Sequence, residues 1–149
     1  MERIPTILGP TASGKTSLAI KLARKINGEI IGLDSRQIYK DIPIGTAQPA
    51  LNEILKTPHH LIGIKSLSET VSAGQYAKMV KDAINTIKER KKIPIICGGS
   101  GLYFSAVSKG IFKNSVTDKK IRDKLIKRYE KGHAQSMLDE LSEIDPKYS

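Results

Sequence analysis

Gly9-Pro10-Thr11-Ala12-Ser13-Gly14-Lys15-Thr16 has the form G-x-x-x-x-G-K-[ST], the pattern of a loop that wraps its backbone around phosphate. Its flanks supply the context that the pattern needs. Arg3 to Leu8 reads as a short buried strand leading into the loop. Ser17 to Ile26 reads as a helix with Leu18, Ala19, Leu22, Ala23 and Ile26 on one face. Glycines let successive N–H groups turn inward around an anion, and the helix start adds its positive end. Lys15 is long enough to reach a terminal phosphate, and the Thr16 hydroxyl is of the kind that ligates Mg²⁺. Gly9, Pro10, Thr11, Ala12, Ser13, Gly14, Lys15 and Thr16 are therefore expected to bind a phosphate or diphosphate. The loop alone does not say which molecule carries it.

Working outward, Asn27-Gly28 is a helix stop, and Glu29 to Leu33 is a second buried strand. Strand, helix and strand within about thirty residues imply a right-handed crossover and a parallel sheet. Ligands of such sheets sit beyond the carboxyl ends of the strands. Asp34 follows the second strand directly, so it is expected on the same rim as the phosphate loop and on a neighbouring strand. There it would hold Mg²⁺ indirectly, take a proton from an acceptor, or serve only as a turn or cap aspartate. Ile93 to Cys97 reads as a third strand ending in Cys97-Gly98-Gly99, without the aspartate with which motor NTPases bind Mg²⁺. The expected fold is α/β, a P-loop NTPase-like parallel sheet flanked by helices and incomplete at its C-terminus. Residues 1–149 are read as one P-loop core.

Residues 42–49 hold two prolines and a glycine and read as a surface loop, and Asn52 to Leu55 as one helical turn. Pro58 to Ile64 runs from loop into a short extended segment. Adjacent His59 and His60 would point to opposite sides of that segment, which suits hydrogen-bonded structural histidines better than a shared metal. Ser72-Ala73-Gly74-Gln75 is a capping box. It opens a helix to about Lys91 with Tyr76, Met79, Val80, Ala83, Ile84 and Ile87 as its core stripe. Asp118 to Lys131 reads as a basic amphipathic helix capped by Thr117, with Ile121, Leu125 and Tyr129 in line. A last helix over Ala134 to Ile144 is expected to turn Met137, Leu138, Leu141 and Ile144 inward.

With 25 Lys and Arg against 15 Asp and Glu, the net charge is +10. That balance fits a polyanionic partner such as nucleic acid, or equally a lysine-rich background. One cysteine, Cys97, excludes a disulfide framework and a cysteine zinc site, and it reads as a small buried residue. No apolar run approaches the roughly 20 residues of a membrane span. The first strand begins almost at Met1, which leaves no room for a signal peptide. No membrane association and a cytoplasmic location are expected.

Six segments in order resemble the tRNA dimethylallyltransferases, also called tRNA isopentenylpyrophosphate transferases. They are residues 9–16, Asp-Ser-Arg-Gln-Ile-Tyr at 34–39, Ile-Gly-Thr-Ala-Gln-Pro at 44–49, Pro-His-His-Leu-Ile at 58–62, Ser-Ala-Gly-Gln-Tyr at 72–76 and Gly-Gly-Ser-Gly-Leu-Tyr at 98–103. The resemblance implies transfer of a dimethylallyl group from dimethylallyl diphosphate to N6 of adenine-37, in the anticodon loop of tRNA, with Mg²⁺. It implies that the loop holds diphosphate where ATP-binding relatives hold nucleotide phosphates. Lys15 and Thr16 would then be catalytic, with Mg²⁺ on Thr16, and Asp34 would be the general base. The tRNA-binding positions that match are Asp34, Ser35, Arg36, Gln37, Ser100 (usually threonine) and Arg122. Three features depart from the family pattern. Gln48 stands where lysine is common, Gly63 stands where aspartate is common, and the family's chains are about twice as long, with an inserted tRNA-gripping domain and closing helices. The chain thus matches an N-terminal half, either a monomer or the partner of a separate C-terminal half. A small-molecule P-loop kinase, an adenylate prenyltransferase and a non-catalytic diphosphate- or RNA-binding copy are the alternatives.

Overall fold

A computed structural model describes residues 3–110 and 118–147. The chain forms two compact units, Met1–Ile111 and Phe112–Ser149.

In the first unit four parallel strands form one sheet, ordered β1-β4-β2-β3. They are β1 (Thr6–Leu8), β2 (Gly28–Leu33), β3 (His59–His60) and β4 (Ile93–Gly98). Side chains alternate faces along a strand, and β2 shows what that achieves here. Ile31 and Leu33 join Ile96 of β4 in a core closed by α3 (Ala73–Glu89) through Tyr76, Val80 and Ile87, and by Tyr103 of α4 (Gly101–Lys109). Ile30 and Ile95 point the other way, against Ala19, Ile20 and Ala23 of α1 (Lys15–Ile26). Each fully buried isoleucine or leucine contributes about 1.5–3 kcal/mol. Both faces being covered is why these strands read as continuous apolar runs.

The α/β expectation holds, with local differences. The first strand starts only at Thr6, because Pro5 has no N–H to give the ladder, although its carbonyl accepts from Ile96 N at 2.9 Å. That strand is not buried. Among the described residues β1 pairs only with β4, and Leu8 is 45% exposed. The phosphate-loop strand and the Asp34 strand are not neighbours either, since β4 lies between them. That insertion demands glycine at the end of β4. A Cβ on Gly98 would stand 2.1 Å from the Leu33 carbonyl oxygen.

Helix α3 has the expected capping box. Ser72 Oγ accepts from Gln75 N at 3.2 Å, and Gln75 Oε1 accepts from Ser72 N at 2.9 Å. The expected single turn near Asn52 is a two-turn helix, α2 (Leu51–Lys56), and α4 was not expected at all. Both histidines are structural. His59 Nδ1 lies 2.6 Å from the Thr57 carbonyl, and His60 Nε2 lies 2.7 Å from Glu29 Oε2. Arg90 Nη2 reaches the same Glu29 oxygen at 3.0 Å.

The second unit contains α5 (Lys119–Glu130) and α6 (Ala134–Ile144). Asp118 caps α5 by accepting from Lys120 N at 2.8 Å. Thr117 itself lies outside the described residues. Neither helix buries a residue: of the expected inward set of α6, Met137 is half-buried while Leu138, Leu141 and Ile144 are exposed. Two short helices carry apolar stripes, but a pair of them has no third layer to close a core. An ion pair from Arg128 Nη1 to Glu140 Oε2 at 2.6 Å links them.

Candidate functional site

The register of the sheet builds the site. Leu8, Gly98 and Leu33 are paired across three strands. The residues that follow them, Gly9, Gly99 and Asp34, therefore emerge side by side on one rim. A cavity of about 440 Å³ opens there, lined by residues 11–17 of the phosphate loop, by Asp34 and Gln37, by residues 46–49, by Glu53 and by residues 97–99. All belong to the first unit.

The loop is held open by its own bonds. Gly9 N donates to the Gly98 carbonyl at 3.3 Å, and Ser13 Oγ donates to the Pro10 carbonyl at 2.8 Å. Gly14 caps α1 in the left-handed region, with φ of 79°, where a side chain would be strained. No side chain caps α1, so its first N–H groups remain for a ligand, and a helix N-terminus favours an anion. The Lys15 ammonium is folded back onto the Pro10 carbonyl. Thr16 lines the cavity half-buried, with no hydrogen bond to its hydroxyl among the described residues. No cluster of three or more His, Cys, Asp or Glu side chains fit for a metal occurs among those residues. Thr16 is the residue here that could hold a cation beside a bound phosphate.

The two oxygens of Asp34 differ in their surroundings. Oδ1 accepts from Arg36 N at 2.8 Å and Gln37 N at 3.3 Å, the turn role that the sequence left open. Oδ2 has no partner among the described residues, and Asp34 lines the cavity half-buried. Behind the turn, Tyr76 donates its hydroxyl to the Gly32 carbonyl at 2.6 Å, and burial pushes that phenol far above its usual range.

The remaining expected positions divide. Gln37 lines the cavity, whereas Ser35 and Arg36 are exposed on the Asp34 turn. Ser100 precedes α4, and its N–H donates to the Leu33 carbonyl at 3.3 Å, which sets it beside the base of that turn without lining the cavity. Arg122 is exposed on α5 in the second unit. Cys97 is not simply buried: it is half-buried and lines the cavity, and burial pushes its thiol up, against the pull of Lys15. Gln48 and Gly63, which depart from the family pattern, are neighbours: a Cβ on Gly63 would lie 3.4 Å from Gln48 Oε1. Sequence reasoning missed Glu53, whose carboxylate accepts from Ala50 N at 2.9 Å on the cavity wall. The only signal was its place in the first turn of a short helix.

In the second unit a groove of about 740 Å³ runs between α5 and α6. Lys120, Lys124, Lys127, Arg128 and Lys131 line it, with Asp123 the one carboxylate. No helix of the described residues is long and apolar enough to cross a membrane.

The family model described as IPP transferase matches residues 37–149. A tRNA dimethylallyltransferase of Salinibacter ruber is 42% identical over 98% of this chain and 45% of its own length. One of Thermodesulfovibrio yellowstonii is 43% identical over 97% and 46%. The crystal structure of the full-length tRNA isopentenylpyrophosphate transferase of Bacillus halodurans superposes with a TM-score of 0.73 at 38% identity, covering 99% of this chain and 49% of that one. A eukaryotic dimethylallyltransferase acting on tRNA matches 80% of this chain at 36% identity, with a TM-score of 0.66. The chain spans about half the length of the bacterial relatives it matches.

Proposed function

The chain belongs to the IPP transferase family, and on that premise we propose that it carries the donor site and the base of a tRNA dimethylallyltransferase. The reaction moves a dimethylallyl group from its diphosphate to N6 of adenine-37 in the anticodon loop of tRNA. One observation carries the reading: an open phosphate loop and a carboxylate with one unengaged oxygen share a single cavity.

Each residue has a defined part. The loop amides and the start of α1 bind the diphosphate, and Lys15 leaves Pro10 to neutralise charge that grows on it as the carbon–oxygen bond breaks. The electron pair of that bond departs with the diphosphate. The amine nitrogen bonds to the freed allylic carbon, and Asp34 Oδ2 takes its proton. Asp34 Oδ1 stays on the backbone of its turn, so the base cannot swing away. Thr16 would hold Mg²⁺, which supplies further neutralisation of the diphosphate. The acceptor adenine sits inside a folded RNA, so it must be turned out of its stack to reach the rim. Ser35, Arg36, Gln37 and Ser100 around the Asp34 turn, and Arg122 with the basic groove of the second unit, are the proposed tRNA contacts. A cytoplasmic location accords with that substrate.

The test incubates the 149-residue chain with dimethylallyl diphosphate, Mg²⁺ and an unmodified tRNA bearing adenines at 36–38, and looks by mass spectrometry for a dimethylallyl adduct on adenine-37. Adduct is expected. Its absence, both from the chain alone and with the second half of a relative added in trans, would remove the transferase reading.

A further inference from the structure

Residues 46–49 line the cavity at the end of a segment, 42–49, that has no helix or strand. Its own backbone bonds are tight turns, such as Thr46 N to the Ile42 carbonyl at 3.2 Å and Gln48 N to the Pro43 carbonyl at 3.0 Å. Such turns shape the segment but anchor it to nothing. Two glutamine side chains provide the anchorage to the Asp34 turn. Gln37 Nε2 donates to the carbonyls of Thr46 at 3.1 Å and Ala47 at 2.9 Å. In return, Gln48 Nε2 donates to the carbonyls of Gln37 at 2.9 Å and Tyr39 at 2.7 Å. Every acceptor is a backbone carbonyl, which cannot donate, so chemistry fixes both amide orientations. All four amide protons are spent on the clasp.

The clasp closes on the turn that presents Asp34. Asp34 Oδ1 holds the N–H of Gln37, and the carbonyl of Gln37 is gripped in turn by Gln48 and by Gly63 N at 2.9 Å. Loosening Gln48 therefore removes one of the two donors on the carbonyl of Gln37, the residue whose N–H is held by Asp34 Oδ1. We propose that Gln48 is a positioning residue for the transfer. Its amide locks the 42–49 segment onto the Asp34 turn and so fixes where the carboxylate stands relative to the bound diphosphate. The kinetic consequence rests on the transferase reading; the mechanical one does not.

The test uses the full 149-residue chain and two readouts. Gln48→Met keeps length and removes both donors, with Gln48→Ala as the alternative if the first does not fold. Gln48→Lys restores donors through an ammonium with three N–H bonds. Loss of two hydrogen bonds should lower kcat about tenfold or more, while KM for dimethylallyl diphosphate moves less than about threefold. Gln48→Lys should return kcat to within about threefold of the parent. Amide hydrogen exchange at Thr46, Ala47 and Gln48 should speed up about tenfold or more in Gln48→Met, with α1 unchanged. Unchanged kcat, a KM that rises in proportion to the loss, or a lysine that rescues nothing would each overturn the positioning role. If the parent turns over nothing, alone and with the second half of a relative in trans, the transferase reading falls and exchange decides: faster exchange at 46–48 upholds the clasp, and unaltered exchange removes it.

Discussion

Strand β2 bears a carboxylate just inside its amino end and another just past its carboxyl end, and the two have opposite surroundings. Glu29 is 5% exposed, and one of its oxygens is shared by His60 of β3 and Arg90 at the end of α3. Asp34, five residues further along, gives one oxygen to its own turn and keeps the other for a cavity. The difference follows from the sheet's polarity. At the amino ends of parallel strands, helices finish and chains return, so a carboxylate meets cations and becomes a fastener. At the carboxyl ends, helices begin and loops gather, so a carboxylate meets ligands. The same residue class does architecture at one end and chemistry at the other.

The comparison breaks if either end behaves like the other. Asp34→Asn keeps the turn acceptor but loses the base, and prenyl transfer should fall about a thousandfold while tRNA binding and thermal stability stay near the parent's. Retained turnover would leave Asp34 only its turn. Next in size, Lys15→Ala should weaken inorganic pyrophosphate binding, measured calorimetrically, about a hundredfold without altering the fold. Unchanged affinity would show that the loop amides suffice. At the other end, Glu29→Leu should lower unfolding free energy by about 2 kcal/mol, since His60 and Arg90 lose a buried partner but can partly rehydrate. Pyrophosphate affinity of the folded fraction should not move.

The smallest effect concerns His59, beside the Glu29 end. Burial holds its imidazole below the usual range, outweighing the Thr57 carbonyl that favours charge. The folded state thus binds a proton less readily than the unfolded chain. Stability is full above the unfolded value of about 6.5 and is lost as pH falls through it, the loss levelling off below the folded value. Denaturation of the parent and of His59→Gln at pH 7.5 and 5.5 should show the parent losing more, by less than about 1 kcal/mol. Equal losses would discharge His59 from any part in the pH response.

What was legible in the sequence was local. The phosphate loop, the strand ahead of Asp34 and the Ser72 capping box are each decided by residues within a few positions of one another. Strand order was not legible, because β4 enters between β1 and β2 from sixty residues downstream. The glycines at 98 and 99 announced that something approaches closely, though not that the Leu33 backbone is what approaches. Helix α4 was hidden behind the run Gly98-Gly99-Ser100-Gly101, which looks like loop until Tyr103 and Ala106 find their burial against neighbours. Periodicity in α5 and α6 predicted a face but could not supply its partner. The Gln37–Gln48 clasp was invisible for a related reason: an amide side chain says nothing in sequence about which carbonyls it will meet.

The Tyr76–Tyr103 pair carries a practical consequence. Their rings lie 4.4 Å apart in the core beneath the Asp34 turn, and the chain has no tryptophan among its 149 residues. Tyrosine emission is therefore not drowned by indole, and part of it arises within a few residues of the candidate base. Burial pushes the Tyr76 phenol well above its usual range. The protein thus carries an unlabelled optical signal in the core beneath the Asp34 turn.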